Sequence, residues 1–161
     1  MNESQNLSGS AYSGIIFIDN AGDDDVLPLI ETYCQNRQVM ENKKKTLVLG
    51  ASENPSRYSY LAIKRLLAHG HEVVAIGNRK GKVDHVELIT EQVPMDDIHT
   101  VTLYLNPANQ KPYYDYLISL KPKRIIFNPG TENGELERKM THGGTNMLEA
   151  CTLVMLSTGQ Y

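Results

Sequence analysis

The stretch Lys45-Thr46-Leu47-Val48-Leu49-Gly50-Ala51-Ser52-Glu53-Asn54-Pro55-Ser56-Arg57-Tyr58-Ser59-Tyr60 decides the fold. It reads as a short apolar strand, a tight turn of small residues and the start of an amphipathic helix. Such a turn aims backbone N–H groups and a helix N-terminus at one point, where an anion such as a pyrophosphate binds. The turn departs from Gly-x-Gly-x-x-Gly. Ser52 and Pro55 stand where that fingerprint has its second and third glycines. A nucleotide-type ligand is expected, but not the ordinary dinucleotide dehydrogenase site.

Working outward, the chain alternates from residue 43 onward. Apolar runs at 46–49, 73–76, 100–105, 124–127 and 147–151 are bounded by Gly, Pro and Asn. They are near-continuous, as parallel strands buried on both faces require. A helix is expected over 58–69, with a stripe of Leu61, Ile63, Leu66 and Leu67, and Gly70 follows it as a terminator. A second helix is expected over 107–120, opened by Asn106 as cap and Pro107 in the first turn. A third follows Asn133, with Leu136 and Met140 one turn apart. This alternation predicts an α/β fold: a doubly wound sheet of about five parallel strands flanked by helices.

The 161 residues suit one such domain plus an N-terminal extension over 1–42. The first thirteen residues are polar and predict disorder. Residues 14–18 predict a strand, and Asp23, Asp24 and Asp25 cap a short helix with the stripe Val26, Leu27, Ile30, Tyr33 and Cys34. Met40 offers an alternative start immediately before the domain at 43–161. Charge divides unevenly. Residues 1–41 hold seven Asp/Glu and one Arg, whereas 42–161 hold fifteen Lys/Arg and twelve Asp/Glu. The mildly basic body suits a phosphorylated small molecule and is too weakly charged for nucleic acid. Two cysteines without metal-type spacing, no secretory leader and no membrane-length apolar run lead to the expectation of a soluble cytoplasmic protein. Its oligomeric state is open between monomer and homodimer.

In such sheets ligands sit beyond the carboxyl ends of the strands. The first strand delivers Gly50, Ala51 and Ser52, followed by Arg57 and Ser59: small residues for close approach, hydroxyls, and a guanidinium that pairs with phosphate bidentately. The second delivers Asn78, Arg79, Lys80 and Lys82, where an NAD site would carry an acid. These cations suit the 3′-phosphate of coenzyme A or the 2′-phosphate of NADP, or form a solvated basic turn. The third delivers Tyr104, Leu105, Asn106 and Pro107, as an adenine wall or a helix cap. The fourth delivers Asn128, Pro129 and Gly130, as a ligand-admitting turn or a plain one. Cys151 reads as a buried small hydrophobe or a reactive thiol, and Tyr113, Tyr114 and Tyr116 as packing and surface residues of a helix rather than a base-stacking platform. No nucleophile elbow, Walker lysine or zinc-helix motif occurs, so neither a catalytic constellation nor a metal site is expected.

Residues 44 to about 157 resemble the small single-domain CoA-binding proteins, relatives of the CoA-binding domain of the succinyl-CoA ligase alpha subunit. The resemblance rests on Gly50-Ala51-Ser52-x-Asn54-Pro55-x-Arg57-Tyr58-Ser59, the following helix, Phe127-Asn128-Pro129-Gly130-Thr131-Glu132 and the strand ending at Cys151. It covers about seven-tenths of the chain. It implies a Rossmann-like fold that binds coenzyme A or an acyl-CoA without catalysis of its own. By motif, Gly50, Ala51, Ser52, Arg57 and Ser59 would hold the pyrophosphate. Asn78, Arg79 and Lys80 would lie by the adenosine phosphate, Asn106 and Pro107 near the adenine, and Asn128, Pro129 and Gly130 beside the pantetheine arm. The family often has proline where this chain has Arg79. An NADP-dependent oxidoreductase and a component of an acyl-CoA ligase are the competing expectations. The first lacks a substrate domain, and the second lacks room for the domain that carries a phosphohistidine.

Overall fold

The structure, a computed structural model, describes residues 43–161. The strand and helix expected over 14–34 lie outside the described residues. Among those described, seven strands form one sheet: β1 (Thr46–Ala51), β2 (Val73–Gly77), β3 (Gly81–Val83), β4 (Val86–Ile89), β5 (Thr100–Leu103), β6 (Arg124–Phe127) and β7 (Asn146–Glu149). Their order is β3-β4-β2-β1-β5-β6-β7. Six strands run parallel, and β3 alone is antiparallel, on β4. The chain builds outward from β1 first through β2 and β4, then through β5, β6 and β7. The strand order therefore reverses between β1 and β5, which is where doubly wound sheets open a crevice.

The expected five parallel strands are all present, and the sheet gains β3 and β4. These were illegible because they are short and joined through Asp84 and His85, without the glycine that marks most two-residue hairpins. Asp84 itself takes the positive φ of 53° that such a turn demands. Val83, Val86 and Leu88 turn inward, while Lys82 faces Glu87 across the pair.

Both sheet faces are covered. The helices are α1 (Tyr58–Ala68), α2 (Pro107–Gln110), α3 (Tyr114–Leu120), α4 (Gly134–Met140) and α5 (Thr152–Ser157). Leu47 and Leu49 of β1 pack with Val101, Leu103, Ile125 and Phe127 beneath α3 and α4. On the other face Val48 and Ala75 pack with Ile63 and Leu66 of α1 and Leu156 of α5. Burial on both faces explains why the strands read as unbroken apolar runs.

Two helix expectations are corrected. The buried stripe of α1 is Ser59, Ala62, Ile63 and Leu66, and Leu61 is 42% exposed, because small residues share the face that meets the sheet. The single helix expected over 107–120 is broken into α2, a 3₁₀ turn at Lys111–Tyr113 and α3. Pro112 is the cause: it has no N–H to donate, and its ring crowds the preceding turn. The helix α5 was not expected at all. Its first N–H is capped from a distant loop, by Asn128 Oδ1 at 2.9 Å from Thr152 N.

At the amino end of the sheet Tyr161 closes the core. Its hydroxyl lies 2.6 Å from Thr46 Oγ1, its ring lies under the Arg124 guanidinium at 4.3 Å, and the His71 ring sits 4.8 Å away. His71 Nδ1 accepts the Lys44 N–H at 3.2 Å. Burial, reinforced by Lys44 and other nearby cations, pushes the His71 pKa down to about 4. A depressed histidine contributes full stability above its unfolded pKa near 6.5 and loses it as pH falls through the folded value. The ring is half-buried, so solvent screens part of the effect. We expect thermal denaturation to show about 1–2 kcal/mol lost to this group between pH 7 and pH 4. His71→Gln should flatten that part of the profile.

Candidate functional site

Gly50 gives the cleft its shape. Its φ is +92°, and a Cβ there would lie 2.9 Å from the Tyr104 carbonyl carbon and 3.0 Å from Leu105 Cδ2. Only glycine lets β1 bend at its carboxyl end while touching the backbone that leaves β5. The two strand ends at the switch point are thus in direct contact, and the chain turns from there into α1. The turn is built locally: Ser52 Oγ accepts from Asn54 N at 3.2 Å, and Asn54 Oδ1 accepts from Ser56 N at 2.9 Å. The residue at the helix start is Arg57, which makes no side-chain cap, and the first turn carries no acid. Among the described residues the N-terminus of α1 therefore has no anionic or hydroxyl partner of the kind that usually occupies it.

This turn opens onto a cleft of about 1200 Å³. Ten of the thirteen residues expected to hold a ligand line it: Gly50, Ala51, Ser52, Arg57 and Ser59 from the first turn, Asn78 after β2, Asn106 after β5, and Asn128, Pro129 and Gly130 after β6. Arg79, Lys80 and Pro107 do not. Pro107 is exposed in the first turn of α2, and Arg79 and Lys80 are exposed beyond the rim. Lys80 Nζ lies 3.8 Å from Glu91 Oε1.

Among the described residues the lining contains no Asp, Glu, His or Lys, and Arg57 is its one ionised side chain. Amides are abundant: Asn78, Gln92, Asn106, Asn109 and Asn128. Their availability differs. The Asn106 carbonyl oxygen accepts from Asn109 N at 3.0 Å and caps α2. Asn128 is buried and fully engaged. Its Nδ2 donates to Thr102 Oγ1 at 2.7 Å and to the Leu103 carbonyl at 3.0 Å, while its Oδ1 caps α5. Its side chain holds the turn in place, and ligand contact is left to the neighbouring Pro129 and Gly130.

Tyr104 directly follows β5, and its hydroxyl is out of solvent beside Thr102 and Thr152, with no hydrogen bond made among the described residues. Burial pushes its pKa up to about 12, so the phenol remains a protonated donor at any physiological pH. Cys151 lines the same cleft, half-buried, immediately before α5.

Several lining residues carried no legible signal. Gln92 sits in an aperiodic polar stretch, yet its Nε2 donates to the Pro112 carbonyl at 3.1 Å and links two walls of the cleft. Tyr113, expected in a packing or surface role, lines the cleft from the 3₁₀ turn at Pro112 that breaks the helix. Leu153 belongs to the unexpected α5. Behind the wall, buried Gln110 donates to the Leu105 and Thr131 carbonyls at 2.8 and 2.7 Å and accepts from Asn133 Nδ2 at 2.7 Å. Asn133 also caps α4. These bonds lock the loops after β5 and β6 together. Among the described residues no cluster of His, Cys, Asp and Glu is disposed to hold a metal ion. No helix among them is long and apolar enough to cross a membrane.

A doubly wound sheet with an anion-ready turn at its switch point defines a Rossmann-like α/β domain. A family model for the CoA binding domain matches residues 44–157, and the chain belongs to that family. Among solved structures, an uncharacterized protein shares 51% identity with a TM-score of 0.72, covering 74% of this chain and 98% of its own. A cell-free-expressed protein from Thermus thermophilus (16% identity, TM-score 0.67, covering 80% of this chain and 98% of its own) has the same fold. So does a hypothetical protein from Pyrococcus horikoshii (23% identity, TM-score 0.66, covering 91% and 98%). No curated protein matches the chain.

Because Asn128 anchors three elements at once, we expect Asn128→Ala to lower stability by about 2–4 kcal/mol, read by urea unfolding. Its effect on ligand affinity, measured well below the transition, should be small.

Proposed function

We propose that the cleft binds coenzyme A or an acyl-CoA and that the chain acts as a CoA-binding protein without catalysis of its own. The observation that carries this reading is the N-terminus of α1, uncapped by any side chain among the described residues, opening with Arg57 onto a cleft to which those residues bring no acidic side chain. A pyrophosphate over that terminus would gain the helix dipole, free N–H groups and a bidentate guanidinium. The cleft, at about 1200 Å³, exceeds the roughly 300–1,000 Å³ of drug-sized ligand sites and so has room for a long, jointed molecule. Membership of the CoA binding domain family supports the same ligand.

The absence of catalysis is proposed from the chemistry of the lining. General acid–base work needs a group that titrates near neutral pH at the reacting atoms. Among the described residues the lining provides Arg57, neutral amides, the hydroxyls of Ser52, Ser59 and Thr131, three tyrosines, of which Tyr104 is held protonated, and one thiol. That inventory can bind, orient and shield a ligand.

The test is calorimetric titration with CoA, acetyl-CoA and NADPH. We expect CoA and acetyl-CoA to bind and NADPH to bind at least tenfold more weakly. Arg57→Ala should weaken CoA by about 10- to 100-fold, the range for a lost charge-assisted pair. Binding of NADPH in preference to CoA would overturn the reading and move the case to a reductase.

A further inference from the structure

We propose that Glu53 is a selectivity residue of this cleft, disfavouring a phosphate on the ribose of the bound coenzyme. The proposal rests on the CoA reading above and goes further, to which form of the adenosine end is preferred. Glu53 follows Ser52, which lines the cleft, and its side chain reaches away from the helix start toward β3. There it lies against Gly81. A Cβ on Gly81 would be 2.5 Å from Glu53 Oε2 and 3.3 Å from Glu53 Cβ, so the carboxylate occupies the space that the missing side chain leaves.

Gly81 is the centre of Arg79-Lys80-Gly81-Lys82, the turn whose cations suit a phosphorylated ribose. The surrounding charges change that expectation. Lys80 pairs with Glu91 at 3.8 Å, and Lys82 stands directly opposite Glu87 in the β3–β4 register. Glu53 over Gly81 adds a third carboxylate beside this turn. A ribose phosphate extending past Asn78 would meet carboxylates here as well as cations. Of the three acids, Glu53 is the one attached to the phosphate-binding turn itself, hence the one such a group would meet from the cleft side. A phosphate monoester carries nearly two negative charges, so a single carboxylate beside it has a measurable cost even when solvated.

The test compares the affinities of CoA and dephospho-CoA, which differ only by the 3′-phosphate, for the wild type, Glu53→Gln and Glu53→Asp. We expect the wild type to bind the two within about threefold. Glu53→Gln should tighten CoA by about three- to tenfold and leave dephospho-CoA unchanged, and the gain should shrink in about 0.5 M salt. Glu53→Asp keeps the charge and should keep the wild-type ratio, which separates the electrostatic effect from the contact with Gly81. A ratio unchanged or lowered in Glu53→Gln would overturn this proposal alone. So would a wild type that prefers CoA by a hundredfold. If neither compound binds the wild type, the coenzyme reading falls and this proposal with it.

Discussion

The contact between Gly50 and the backbone leaving β5 is the constraint on which the rest depends. At the switch point of a doubly wound sheet two neighbouring strands send their chains in opposite directions, and the gap between them becomes the crevice. Here the gap is set by a residue with a positive φ whose hydrogen already touches Tyr104 and Leu105. Any side chain would have to push β1 and the β5 loop apart, and with them Ser52 on one wall and Asn106 on the other. The strand end, the turn and the start of α1 therefore form one rigid unit.

Polar groups complete what that contact begins. At the carboxyl end of the sheet, Asn128, Thr102 and Thr152 form a buried set of hydrogen bonds that joins β5, the loop after β6 and α5. Gln110 and Asn133 do the same for the loops that face them across the next strand. Buried amides such as these are costly when unpaired and rigid when satisfied, so they fix loop positions more sharply than apolar packing does. The amide-rich lining thus divides in two: some side chains build the cleft, and others, such as Asn78, remain to meet a ligand. The amino end is closed separately, by Tyr161 against Thr46, Arg124 and His71.

Much of this was legible from local pattern. The five apolar runs became strands, Gly70 ends α1 with φ +77°, and Asn106 and Asn133 cap the helices that they precede. What could not be read depends on partners distant in sequence. The β3–β4 hairpin is short and lacks a glycine turn. The burial of α1 is decided by the sheet it meets, which leaves Leu61 outside and Ser59 inside. The α5 cap comes from Asn128, twenty-four residues earlier. The basic turn shows the same limit most clearly. Arg79, Lys80 and Lys82 stand together in sequence, but the fold brings Glu91 to Lys80, sets Glu87 opposite Lys82 and lays Glu53 against Gly81.

The central claim is that the ligand sits at the carboxyl ends of β1, β5 and β6, over the start of α1. The most direct measurement is amide chemical-shift mapping of the isotope-labelled protein during titration with CoA. Binding at this cleft predicts the largest shifts at Ala51 through Ser59, with further shifts at Asn106 and Gly130, and little change at Thr46, His71 and Arg124. Shifts concentrated at that amino end, or none at saturating CoA, would contradict it.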